Sequence, residues 1–380
     1  MKDSEIDKYL ADLKELTDIE SPTASIDGVN KVAAWFKKRA EFLGLKSRSI
    51  ELGTDKVAPC LFISNDLEAK SYDFLFIGHM DTVFPVGTKA DVPFSKIDER
   101  INALGAIDDK GGSLLSLYVI KELDLSKLKI GLFLNSHEET GSNFAKDAIR
   151  ELAKKSRYAL VVEPAREDGS MVATRKGVIS YVLNFRGVSA HAGNHPERGR
   201  SAVVEAANFI VELSKLTDFK AGHTFNSIMT KGGDAQNVVP DFASVTFEMR
   251  YRHASSVEFL HKKMDEILSH PIVPEVSCER ILINEEGPMI DEVNLPNIKK
   301  VFDEAAKATG TKVTWVDAGG LSDGNISASA GCPTIDGLGP TGGNMHTKNE
   351  YLEINSVVKK CNLIVEAIKN FHSLGKLMLA

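Results

Sequence analysis

Apolar residues recur along this chain with two different periods, and the change from one to the other divides it. From Ser4 to Ile19 the residues Ile6, Leu10, Leu13 and Leu16 fall at helical spacing. Val29, Val32, Phe36, Ala40 and Leu43 form one face of a second helix, and Gly44 is placed to end it. Three short uninterrupted apolar runs follow: Phe74 to Ile77, Ile130 to Leu134 and Tyr158 to Val162. Runs of this length bounded by polar residues predict strands covered on both faces. Helical patterns from Ser113 to Leu123 and from Phe144 to Lys154 lie between them. Strand and helix therefore alternate, which predicts an α/β domain with a mostly parallel central sheet.

The order changes after Lys176. A strand (Val178 to Phe185), a helix (Arg200 to Leu216), two strands (Thr224 to Thr230, Ala243 to Arg250), a helix (Ser255 to Leu268) and a strand (Val276 to Ile283) follow in turn. This β-α-β-β-α-β sequence is the ferredoxin-like order. After Pro288 the first pattern resumes, with a helix from Leu295 to Thr309, a strand from Lys312 to Val316 and a last helix carrying Val357, Cys361, Ile364, Ile368 and Phe371 on one face. At 380 residues the chain exceeds what one core supports. The expectation is a discontinuous domain, 1–174 plus 288–380, with a small α+β domain, 175–287, inserted into it. Crossings near Ala173–Gly177 and Gly287–Pro288 are where a hinge would sit.

Composition narrows the possibilities. A net charge of −7 with no basic stripe argues against nucleic acid as a partner. No run of about 18 apolar residues predicts a membrane span. The start, MKDSEIDKYL, has no apolar leader pattern. Cys60, Cys278, Cys332 and Cys361 are widely spaced in apolar stretches, as buried free thiols would be, which together points to the cytoplasm.

Candidate chemistry lies at the ends of the predicted buried strands, where ligands of α/β sheets gather. FIGHMD supplies His79 and Asp81, an imidazole with a carboxylate able to hold its second nitrogen. GAIDDKGG places Asp108 and Asp109 in a glycine-rich turn. FLNSHEETG sets Glu138 beside Glu139, a like-charge pair that is costly unless it faces a cation or shares a proton. LVVEP ends in Glu163, and GPTGGNMHTKNEY carries His346. Taken singly, each is equally a solvated loop or a helix cap. Together they are a nitrogen and oxygen donor set without thiolate, which suits zinc, with cobalt or manganese as substitutes.

The ordered set HMDTVFP, DDKGG, EETGS, EPAR, HAGNHPERG, NVVPDFA, GGLSDGN and GNMHT resembles the glutamate carboxypeptidase-like family of co-catalytic zinc metallopeptidases. The family also includes succinyl-diaminopimelate desuccinylase, acetylornithine deacetylase and aminoacylase. The resemblance implies two zinc ions: His79 and Glu163 on one, His346 and Glu139 on the other, Asp108 bridging both. Asp81 would orient His79, Glu138 would be the general base, and a cis peptide would follow Asp108. The inserted domain would form a homodimer in which His191 reaches into the neighbouring subunit's site. Asn237, Arg250 and Gly320 would hold substrate, the arginine gripping a carboxylate. His195 has no such counterpart and reads as a solvated loop residue. The implied activity is hydrolysis of an amide bond next to a free carboxylate, of the glutamate carboxypeptidase type. An N-acyl-amino-acid deacylase or a small-peptide peptidase would use the same centre. A non-catalytic binding protein would be expected to have lost ligands or base, and none is missing. A nucleotide-dependent oxidoreductase lacks its G-x-G-x-x-G.

Overall fold

The computed structural model describes residues 1–377. The chain divides into two compact units. The first comprises Met1–Thr174, Met289–Ala318 and the chain from Ser322 onward; the second comprises Arg175–Pro288 together with Gly319–Leu321.

The first unit is built on a six-stranded sheet in the order Lys46–Ile50, Cys60–Ser64, Ile130–Asn135, Tyr72–His79, Ser156–Val161, Thr334–Ile335. The four strands from Ile130–Asn135 onward run parallel, and Lys46–Ile50 and Cys60–Ser64 join antiparallel. Alternation along each strand feeds two cores. Phe74 and Phe76 face a core with the helices Ile6–Thr17, Ile26–Phe42, Lys110–Lys121 and Leu295–Thr309, while Leu75 and Ile77 face a second core with Lys146–Lys154. Burial on both sides is why these runs read as continuously apolar. Register places His79 beside Asn135 and Ile77 beside Val161, so these three parallel strands end within two residues of one another.

The second unit is a four-stranded antiparallel sheet in the order Thr224–Gly232, Phe242–Tyr251, Gly177–Arg186, Ser277–Glu286. Helices Ala202–Ser214 and Ser255–Leu268 cover one face, packing Phe209, Leu213, Leu260 and Met264 against Leu183, Phe185, Val245 and Phe247. Ser201 caps the first of these helices by accepting from the Val204 amide.

Three features depart from the sequence expectation. The strand expected at Lys312 to Val316 is Trp315–Ala318, and it pairs with Met171–Arg175 outside the central sheet. Lys46–Ile50 and Cys60–Ser64 are strands beyond those expected; the first, KSRSI, is a mostly exposed edge strand with no apolar period to betray it. The short helix Asp323–Ser329, which begins within the motif GGLSDGN, is likewise beyond those expected. Among the described residues no helix is long and apolar enough to cross a membrane.

Candidate metal centre

The level ends of the parallel strands bring distant residues together. His79 is the last residue of its strand, Glu138 and Glu139 open the 3-10 turn Glu138–Thr140 just beyond Asn135, and Glu163 follows Val161 by two residues. Asp108 precedes the helix Lys110–Lys121, and His346 sits in a turn with a left-handed φ of 63°. His79 Nε2 lies 3.0 Å from Asp108 Oδ1 and 3.6 Å from Glu163 Oε1. His346 Nε2 lies 3.2 Å from Asp108 Oδ2 and 3.2 Å from Glu139 Oε2. One carboxylate thus turns each of its oxygens to a different imidazole. His79, Glu138 and Glu163 offer ligand atoms within 4.8 Å of one another, and so do His79, Asp108 and Glu139.

The electrostatics describe a centre short of positive charge. Burial, then the Glu163 charge, pushes Glu138 well above the usual carboxylate range. Burial, then Asp108, raises Glu139 to about 7. Burial alone would raise Asp108, but hydrogen bonds from His346 and His79 hold it below its ordinary value. Burial alone would lower His79, yet Asp108 and Asp81 raise it well above its usual pKa. The hydrogen bond to Asp108 lifts His346 to about 9. Glu139 Oε1 is buried and has no hydrogen-bond partner. A buried acceptor left so is costly unless a cation completes it. Crowded carboxylates, two imidazole nitrogens and an orphaned oxygen therefore fit a divalent metal site with borderline or hard donors.

Residues behind the centre hold it in place. Both groups that face His79 Nδ1 are acceptors, the Asp81 carbonyl at 3.1 Å and Asp81 Oδ1 at 3.4 Å. In the neutral ring that a metal requires, the hydrogen therefore sits on Nδ1, and Nε2 is the atom left for a metal. The same Asp81 carboxylate accepts from the amides of Glu138 and Glu139 and from Thr23 Oγ1. Glu350 accepts from the amides of Gly105, Ile107 and Asp108 and so fixes the turn that presents Asp108. The sequence reading missed Glu350; its signal was an acid in the same loop as His346, directly before the strand Tyr351–Glu353. The Asp108–Asp109 peptide is cis. Asp109 Oδ2 accepts from the His79 amide and Ser113 Oγ, so Asp109 braces the strand end. A Cβ at Gly112 would run into Asp109 Oδ1 and the Val162 carbonyl, which explains a glycine of the DDKGG motif.

The other candidates belong to the second unit. His191 lies in the strand Ala190–His191, where its Nδ1 accepts from the amides of Gly193 and Asn194 at 3.1 and 3.0 Å. Its hydrogen is therefore on Nε2. The Asn237 carbonyl accepts from the Ala192 amide at 2.9 Å. Arg250 donates from Nη1 to the Gly319 carbonyl and from Nε to Glu248. Gly320 accepts through its carbonyl from Arg175 Nη1, which accounts for the packing of 319–321 with this unit. His195 is exposed, beside Glu197.

Known proteins carry the same organisation. The chain is 27% identical over 372 residues to carboxypeptidase G2 of Pseudomonas sp. (strain RS-16), covering 94% of this chain and 87% of the relative. It is 26% identical to the succinyl-diaminopimelate desuccinylase of Nitrosospira multiformis, over 74% of this chain and 79% of that one. The crystal structure of aminopeptidase PepT from Bacillus cereus superposes with a TM-score of 0.80 at 24% identity, over 97% of this chain and 99% of that one. The family description "Peptidase family M20/M25/M40" matches residues 75–370, a span that holds every ligand candidate above, and the chain belongs to that family of metal-dependent hydrolases.

Proposed function

We propose that this protein is a hydrolase with two metal ions in one centre, most simply zinc, that releases a carboxylate-bearing amino acid, glutamate by preference, from an N-acyl or peptide substrate. The observation that carries the reading is Asp108, whose two oxygens face the Nε2 atoms of His79 and His346 separately. His79 and Glu163 would hold one ion, His346 and Glu139 the other, with Asp108 shared. A bound pair of this kind supplies Lewis acidity and makes water acidic near neutrality. Glu138, whose carboxyl is pushed well above the usual carboxylate range by burial, takes the proton of the attacking water and returns it to the leaving nitrogen. Asp81 keeps His79 in one tautomer and holds the Glu138–Glu139 turn to the same anchor.

The second unit would supply His191, whose Nε2 hydrogen suits a donor to the developing oxyanion. Asn237, Arg250 and Gly320 would hold the substrate's carboxylate, and a homodimer formed through this unit would let His191 act in a neighbouring subunit. Four unpaired cysteines agree with a reducing, cytoplasmic setting. Kinship to carboxypeptidase G2 supports a carboxypeptidase, the resemblance of the motifs to the glutamate carboxypeptidase-like family favours glutamate as the released residue, and kinship to a desuccinylase supports N-acyl-amino-acid deacylation as the second reading.

The test joins metal analysis to a panel of N-acyl-glutamates, N-acetylornithine, N-succinyl-diaminopimelate and dipeptides. The expected result is a bound pair of divalent ions per chain, loss of turnover on chelation, and fastest hydrolysis among the N-acyl-glutamates. A metal-loaded protein that cleaves none of the panel sinks the reading; preference for another acyl-amino acid transfers it to the deacylase class.

A further inference from the structure

Between the end of the strand Ile130–Asn135 and the start of the helix Lys146–Lys154 the chain makes one excursion, and it carries Glu138 and Glu139. The two feet of this loop are tied together from inside. Asn135 Nδ2 donates to Ser142 Oγ at 2.8 Å, which closes the segment 135–142 side chain to side chain. Behind both lies Asp323, the first residue of the helix Asp323–Ser329 and only 2% exposed. Its Oδ2 accepts from Asn135 Nδ2 at 2.7 Å and its Oδ1 from Ser142 Oγ at 2.5 Å. One carboxylate thus holds both feet of the loop.

The bonding runs in a single consistent sense. Asn135 Oδ1 accepts from the His137 amide, which leaves the two Nδ2 hydrogens for Asp323 and Ser142. Ser142 Oγ accepts from Asn135 and spends its own hydrogen on Asp323. Both oxygens of Asp323 are therefore acceptors, an arrangement that a carboxylate meets and a carboxamide, with one acceptor oxygen, does not. Ser142 takes a left-handed φ of 57° directly after Gly141 at 92°. A serine holds that conformation only where its surroundings enforce it.

The bonds continue to the metal centre. The Asn135 carbonyl accepts at 2.8 Å from the amide of Met80, one residue past His79. The Ser142 amide donates to the carbonyl of His137, one residue before Glu138. Asp81 holds the amides of Glu138 and Glu139 themselves. The turn is thus fixed at its crest by Asp81 and at its feet by Asp323.

A charge in this place is costly. Burial pushes the Asp323 carboxyl up to about 6 against the bonds from Ser142 and Asn135 that hold it down. The same charge adds to the repulsion on Glu138. Packing alone would be served as well by an uncharged side chain. What the carboxylate contributes is a pair of charge-assisted bonds that fix two points of the chain at once.

We propose that Asp323 is a positioning residue of the metal centre, holding Asn135 to Ser142 so that Glu138 and Glu139 are presented to the reacting atoms. The inference rests on the reading of a two-metal hydrolase and adds a residue outside the ligand set. Its effect is one-sided. It reaches the base and the ion held by Glu139, and it spares the ion held by Glu163, which lies on another segment.

The experiment measures both zinc affinities, by titration against a chelator, and kcat and KM on an N-acyl-glutamate, in Asp323→Asn and Ser142→Ala. In Asp323→Asn one zinc is expected to bind about 10- to 100-fold more weakly, and the other as in the wild type. With zinc saturating, kcat should fall about 100-fold, as a small misplacement of reacting groups produces, while KM changes little. Ser142→Ala keeps every charge and should move the same quantities in the same direction by less. A lower melting temperature with both zinc affinities and kcat at wild-type values overturns the inference, and so does equal weakening of both ions. If Asp323→Asn does not accumulate folded, Ser142→Ala decides, and wild-type zinc affinities and kcat in that variant overturn the inference. A wild type that binds two zinc ions and cleaves no acyl-glutamate overturns the glutamate reading, and the zinc affinities still decide the role of Asp323. A wild type that binds no zinc pair overturns both.

Discussion

Every residue of the strands Cys60–Ser64 and Ile130–Asn135 is buried, whereas in the second unit Ser277–Glu286 buries only Glu286 and Thr224–Gly232 buries none. The inner strands of the central sheet are covered on both faces, so they carry polar side chains mainly towards their ends. His79, Asp108, Glu138, Glu139 and Glu163 accumulate at those ends, where burial makes each unpaired charge expensive and a cation valuable. The second sheet is covered on one face and has long free edges. Ile228 and Met229 stand exposed on the edge strand Thr224–Gly232, and Val204 and Val211 on the adjoining helix Ala202–Ser214. A free edge with apolar neighbours invites another chain. One region concentrates charge at buried strand ends; the other exposes apolar side chains along an edge strand and its adjoining helix.

The contrast can be broken at its strongest point first. Glu138→Gln keeps the shape of the centre and removes the proposed proton carrier. Turnover is expected to fall about 100- to 10,000-fold with metal content retained, measured by steady-state kinetics and atomic absorption. Turnover near the wild-type value would remove Glu138 from the mechanism.

Glu350→Ala acts one step further out. It deprives the amides of Gly105, Ile107 and Asp108 of their acceptor. A loss of about 1–3 kcal/mol in stability is expected, with metal affinity about 10- to 100-fold weaker, read by denaturant unfolding and metal titration. Unchanged metal affinity would reduce Glu350 to a purely structural role.

The metal-free protein provides a pH test. His346, at about 9 instead of its ordinary 6.5, is stabilised as a cation by Asp108. That contribution is fully present below pH 6.5 and is lost as pH rises through 9. The melting temperature of chelator-treated protein should fall across this window. The gap to the metal-loaded protein should widen, because a metal needs the neutral imidazole. A gap that stays constant with pH would separate His346 from the metal.

The smallest change to the fold is expected from Ile228→Lys on the free edge, within about 0.5 kcal/mol for the isolated subunit. Its effect should lie in association, with the native mass moving from dimer towards monomer in light scattering. A wild type that is monomeric at all concentrations would end the assembly role of this surface.

The same contrast governs what the sequence disclosed. Phe74 to Ile77 and Ile130 to Leu134 were legible because burial on two faces leaves an unbroken apolar run, and the acids beyond them stood out against it. The strand Lys46–Ile50 was illegible because an exposed edge imposes no pattern. His79, Asp108, Glu139 and His346 could be nominated from residue type and motif. Their common focus came from the family resemblance and not from pattern, because it depends on the register that sets His79 level with Asn135. Glu350 escaped because its partners are backbone amides, which leave no trace in side-chain identity.

The sixth strand of the central sheet, Thr334–Ile335, pairs with Ala159 and Leu160 only after the whole second unit has been traversed. A ribosome emitting this protein therefore displays Ser156–Val161 with one flank bare while the insert is still being made. Over that interval the nascent chain is open to wrong strand partners. Lengthening the insert would prolong the hazard without touching any ligand, and faster synthesis through that stretch would shorten it.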